Sequence, residues 1–235
     1  MRLSPFLISN NMTLEQMASA IRDHIGPGLK EVDDFSYSIE QLKDEIALMR
    51  NSIILEQSKS GTLNLEHFAQ SKDNIDIDLR TFPLKSEHPS KRVPHIKIPR
   101  PVMTTDNSAI IYLGPADLSM DFVKYYDASF NNHKYSRVIG NRPYCYIDLA
   151  GDGDGNVDVY IFGIESSMLS KMAVREIADN PTKVLESDGY LGDDEEFPAP
   201  GAIQDMIIDR LSKRYILYYK DRNQPNEANT NTDKY

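Results

Sequence analysis

The nearest approach to a chemical motif in this chain is GDGDGNVDV, where Asp152, Asp154, Asn156 and Asp158 alternate as oxygen ligands do in a calcium-binding loop. The detail departs from such a loop. Counted from Asp152, the sixth position, which needs glycine for a sharp turn, is Val157, and the twelfth, which needs a bidentate acid, is Gly163. The simpler reading is the turn of a β-hairpin, with Asp158 facing solvent between Val157 and Val159. A calcium-binding hydrolase using the loop from Asp152 to Asp158 stands as the alternative.

Other chemistry is harder to assemble. His24, His67, His88, His95 and His133 show neither HExxH spacing nor a cysteine companion, so each reads as a surface or hydrogen-bonded histidine. There is no GxSxG elbow, no GxxxxGK phosphate loop and no GxGxxG after a strand. Cys145 is the only cysteine and lies within an apolar alternation with Ile147 and Leu149, which points to a buried, inert thiol. No catalytic residue, metal or cofactor is expected.

A basic run from Lys85 to Arg100, with Lys91, Arg92 and Lys97 between, offers a second alternative as a nucleic-acid contact. It lacks the interleaved aromatic residues on which a single strand would stack. A contact with an acidic patch such as Asp193 to Glu196 on a neighbouring subunit suits it better, and Lys91 and Arg92 are candidates for that interface. The chain of 235 residues carries a formal charge of -10, which disfavours general phosphate binding but does not exclude a DNA conduit, since an acidic lumen, formed on assembly, would repel a duplex rather than hold it. Pro5 to Ile8 is too short an apolar run for a signal peptide, and no segment approaches a membrane span.

The elements that would position these residues follow from pattern. Thr13 and Gln16 form a capping box ahead of Leu14, Met17, Ala18, Ile21 and Ile25 at helical spacing, and Met1 to Asn11 are expected to be loosely ordered or to precede an alternative start. Ser38 and Gln41 repeat the box before a longer helix whose Ile39, Leu42, Ile46, Met49 and Ile53 make a two-heptad seam, widened by Leu48, Ile54 and Leu55. That seam fits packing on the chain's own domain, and its outer side is a candidate subunit interface.

After Gly61 the pattern becomes β. Ile75, Ile77 and Leu79 alternate with Asp76, Asp78 and Arg80 as a strand with one wet face. The proline-rich stretch from Pro83 to Pro101 reads as an extended crossing segment or edge strand. Strands are expected at Ile110 to Leu113 and Phe122 to Tyr126, a hairpin at Tyr144 to Leu149 and Val157 to Phe162, a returning strand at Ala173 to Ala178, and an acidic loop from Glu186 to Glu196. A final amphipathic helix, opened by Pro198 and Pro200, places Ile203, Ile207, Leu211, Tyr215 and Tyr218 on one buried stripe.

Beyond that helix lies NQPNEANTNTDKY, which cannot offset the entropy of its own ordering by burial. Such an arm is either disordered or ordered by a partner, and its thirteen residues, extended, reach roughly 40 to 45 Å. Asn223, Gln224, Pro225, Asn226, Glu227, Asn229 and Tyr235 are its candidate partner-binding residues.

The series IYLGPAD, FVKYYDASFNNHKYSR, GNRPYCYIDLAGDGDGNVDVYIFG, IADNP and FPAPGAIQDMIIDRLSKRYI, followed by a PN-containing amide-rich tail, resembles the head-to-tail connector or ring proteins of tailed bacteriophages. The nearest likeness is to those of crAss-like and related short-tailed phages. The resemblance implies a virion structural protein at the head–tail junction, assembled in the host cytoplasm. Such a protein docks as a ring under the phage portal protein, meets other tail or ring proteins and continues the DNA exit channel. It further implies a homo-oligomer of 12 copies, no catalytic residue and no membrane.

The expected fold is α+β: a helical N-terminal region over residues 1–72, an antiparallel β domain over 73–197, a helix over 198–222 packed on that domain, and a polar docking arm over 223–235.

Overall fold

Thr13 and Gln16 cap the first helix reciprocally: Gln16 N–H donates to Thr13 Oγ1 at 3.2 Å and Thr13 N–H to Gln16 Oε1 at 3.0 Å. Ser38 and Gln41 do the same at 3.2 and 2.9 Å for the second. These boxes open α1 (Leu14–Ile25) and α2 (Ile39–Ser60) in the computed structural model, which describes residues 11–25, 38–82, 92–105, 107–126, 142–150, 155–182 and 195–222. The third helix, α3, is Gly201–Arg222. Its first turn begins after Pro200, whose carbonyl accepts from Ile203 and Gln204 N–H.

The protein is α+β. Its chain forms two compact units, Met1–Arg50 with Glu195–Tyr235, and Asn51–Asp194. This division differs from boundaries at 72 and 197, since α2 itself spans the first junction.

In the first unit α1 lies on α3, burying Leu14, Met17, Ala18, Ile21 and Ile25 from one and Ile207, Ile208, Leu211 and Tyr215 from the other. A buried glutamine ties the segment before α1 to the one before α3. Gln204 Oε1 accepts from Met12 N–H at 2.7 Å, while its Nε2 donates to Phe197 O at 3.2 Å and Ala199 O at 3.0 Å. Arg50, fully buried, donates from Nε to Pro198 O at 3.0 Å with its guanidinium over Phe197. Polar groups enclosed like this must be hydrogen-bonded to be tolerated.

The described residues of the second unit form ten strands: β1 Gln70–Ile75, β2 Asp78–Thr81, β3 Arg92–Pro99, β4 Met103–Thr104, β5 Asn107–Ser108, β6 Ile110–Pro115, β7 Val123–Tyr126, β8 Tyr144–Asp148, β9 Asn156–Phe162 and β10 Met172–Glu176. Among these, one sheet runs β1-β10-β6, a second β2-β3-β9-β8-β7, and β4 and β5 form a small hairpin. Ile75, Leu113, Met172 and Val174 of the first sheet share a core with Ile96, Ile98, Cys145, Ile147, Val157, Val159 and Ile161 of the second. The pairs are antiparallel except β7 with β8, which is parallel.

Two expectations are corrected here. Ile75, Ile77 and Leu79 do not share a strand: Asn74 adopts a φ of 60°, the β1 register shifts between Lys72 and Ile75, and β1 and β2 enter different sheets. Left-handed backbone suits asparagine better than most residues. The second correction concerns β3, which is an interior strand rather than an edge. It tolerates Pro94 and Pro99 because the absent N–H of each falls at an end of a ladder: the last β3–β9 pair is His95 with Tyr160, and the last β2–β3 pair is Asp78 with His95.

Candidate functional site

The outer face of the five-stranded sheet, away from the shared core, carries the densest polar arrangement among the described residues. Alternation along β3 and β9 puts Val93, His95 and Lys97 on the same side as Asp158, Tyr160 and Phe162. His95 is 1% exposed, and its Nε2 lies 2.6 Å from Asp158 Oδ1. The Asp158 carboxylate accepts, so the proton sits on Nε2 and leaves Nδ1 as an enclosed acceptor without a partner among the described residues. Arg80 Nη1, from β2, stands 3.5 Å from the same carboxylate oxygen.

Burial lowers the His95 pKa, the hydrogen bond that His95 donates to Asp158 opposes that, and Arg80 adds to the lowering. The ring is thus neutral near pH 7. Beside it Phe82, Tyr146, Tyr160 and Phe162 form an edge-to-face cluster, with Phe82 5.1 to 5.3 Å from each of the other three rings. Tyr144 stacks on Phe162 at 5.3 Å. A histidine so enclosed cannot reach a substrate proton, which general acid–base work requires. It acts as a cross-strand clamp between β3 and β9.

The expected site residues fall in several places. Asp158 does not face solvent as an ordinary strand residue: its carboxylate is engaged by His95 and Arg80, which takes it away from the calcium reading. Asp152 and Asp154 lie outside the described residues, while Asn156 begins β9 opposite Pro99. Arg100 donates from Nη2 to Leu149 O and Ala150 O at 3.2 and 3.4 Å, so this member of the basic run closes the hairpin turn. Lys85 and Lys91 are outside the described residues; Arg92 is exposed at the start of β3 opposite Thr81.

The proposed interface on α2 is corrected. Leu42, Ile46 and Ile53 are buried within the chain itself and have no surface to give a neighbour, while Ile39 and Met49 are half-buried. The apolar residues that α2 exposes are Leu48, at 64%, and Leu55. On α3, Tyr218 is 50% exposed rather than on the buried stripe. Asn223, Gln224, Pro225, Asn226, Glu227, Asn229 and Tyr235 lie outside the described residues.

Cys145 is the buried thiol expected, its pKa pushed up to about 12 by desolvation. Sequence reasoning missed Glu176. This residue ends β10 fully buried, on the face of Met172 and Val174, and among the described residues neither carboxylate oxygen has a hydrogen-bond partner. The available signal was its place in the alternation after those two residues.

The fold is α+β, and the polar groups of this face brace its strands. Compared with known proteins, the chain matches no protein-family model and no curated protein.

Proposed function

We propose that this chain is a structural component of a tailed-phage virion, a ring-forming connector that docks on the portal protein and continues the DNA exit channel toward the tail. One observation carries the reading beyond the resemblance of its sequence words. Helix α3 buries Gln204, Ile207, Leu211 and Tyr215, yet turns Met206 and Leu217 outward, with Leu217 61% exposed, directly ahead of the polar arm. Exposed apolar surface beside a polar segment is the composition of a docking surface.

The exposed Leu48 of α2 supplies a further apolar contact for a neighbouring subunit. The charge of -10 suits a channel that repels a duplex and so releases it. Mass measurement and electron imaging of the purified protein, alone and with a portal, test the proposal. Rings, free or on the portal, are the expected result; a protein that stays monomeric and does not bind the portal would overturn it.

A further inference from the structure

Strand β2 ends the five-stranded sheet, and all four of its residues are exposed. Which of its backbone groups face the open edge follows from its neighbour. Arg100 N–H donates to Gly155 O at 2.9 Å, just past the β3–β9 ladder. Hydrogen-bonding direction alternates along a strand, so Ile98 and Ile96 also face β9, while His95 and Val93 face β2. Their register partners Asp78 and Arg80 therefore bond inward. Leu79 and Thr81 are left pointing N–H and C=O away from the sheet, where they meet no partner among the described residues.

The side chains divide as sharply. Leu79 shares the face of Ile96 and is 51% exposed; Asp78 and Arg80 lie on the opposite face with His95. We propose that a second copy of this chain adds its own β2 to this edge, antiparallel and centred on a pair of Leu79 residues, to form a two-fold dimer.

Three features coincide in that register. Leu79 exchanges both backbone hydrogen bonds with its counterpart, the two leucines meet on the apolar face, and Asp78 stands opposite the partner's Arg80 on the polar face, twice by symmetry. Sliding the pairing by two residues keeps the hydrogen-bonding pattern but sets Asp78 against its own copy in one direction and Arg80 against its own copy in the other. Like charges directly opposite are unfavourable, so charge selects the register. The contact is isologous and separate from the head-to-tail contact of a ring, so it holds whether or not the ring reading does.

Sedimentation of the full chain across concentration tests this. The wild type should dimerise, and Asp78→Arg and Arg80→Asp should each weaken the dimer about ten-fold or more. Mixed together, these two variants should form a heterodimer, because each reversed strand complements the other, and the double reversal should self-associate again. Arg80 also touches Asp158, so Leu79→Pro serves as an independent variant: it removes the outward N–H and the leucine side chain of the contact, spares the β2–β3 bonds and should be monomeric. A wild type monomeric throughout, a dimer indifferent to both reversals and to Leu79→Pro, or a mixture that fails to pair would overturn the proposal. In the first case the edge is left open to an extended segment of a different protein.

Discussion

Glu176 lies directly across from Gln70 in neighbouring strands β10 and β1, and both present buried acceptors to which no donor is offered among the described residues. Burial holds the Glu176 carboxyl well above its ordinary value of 4.5, against a weaker opposing pull from Lys72. A protonated Glu176 can supply the missing donor, which an ionised one cannot.

The consequence for stability has a definite sign. A carboxyl whose pKa is raised on folding contributes stability that is complete below its unfolded pKa and is lost as pH rises through the folded one. Glu176→Gln, uncharged at every pH, should flatten that decline and stabilise the protein by about 1–3 kcal/mol at alkaline pH. Urea unfolding at several pH values between acid and alkaline conditions measures it; a variant whose stability runs parallel to wild type would refute the assignment.

His95 bends the opposite way. Its pKa is lowered by burial, so the stability it contributes is present above the unfolded value of 6.5 and lost as pH falls through the folded one. Asp158→Asn removes the partner that favours the imidazolium. It should lower the His95 pKa further, deepen the acid-side loss and cost about 1–3 kcal/mol overall. Titration of the His95 ring by NMR reads the shift, and an upward movement would contradict the clamp.

Gln204 satisfies three backbone groups at once, Met12 N–H and the Phe197 and Ala199 carbonyls. Gln204→Leu fills similar volume but takes the side-chain partner from Met12 N–H and Ala199 O, while Phe197 O keeps its bond from Ala199 N–H, and should cost about 2–4 kcal/mol. Gln204→Glu should recover the Met12 bond alone. Thermal unfolding of the two variants ranks them, and equal losses would argue against the Met12 contact.

Position on α2 separates a core role from an interface role. Ile46→Ala should lose about 2–4 kcal/mol of stability, whereas Leu48→Glu should leave stability within about 0.5 kcal/mol and impair ring assembly. Chemical denaturation together with imaging of assemblies tests both halves.

Removing residues 223–235 should leave the unfolding curve unchanged while weakening attachment to the portal. Truncated protein that binds the portal as wild type does would sink the docking role of the arm.

Features set by neighbouring residues were legible before the structure. The paired caps of Thr13 with Gln16 and Ser38 with Gln41 are local, and so is the β8–β9 hairpin, whose strands bracket a run of turn-forming residues. What pattern cannot supply is the third dimension. The periodicity of α2 showed an apolar band, but only packing reveals that Leu42 and Ile46 lie beneath it while Leu48 stands clear. Prolines argued for an edge at β3, yet their exact placement at the ladder ends keeps an interior strand intact. Glu176 looked like any acid at the end of a strand, because burial is decided by elements remote in sequence.

The first compact unit is discontinuous: Arg50 closes one part of it, and the other resumes only at Glu195. During synthesis, residues 51–194 emerge as a complete stretch and can fold as soon as they clear the ribosome, domains generally folding as units. Helix α1 must wait for α3, which is made only after that stretch. Until then the face of Leu14, Met17, Ala18, Ile21 and Ile25 lacks the cover that α3 gives it, so the exposure of this apolar stripe during synthesis is set by the length of the segment inserted between the two helices.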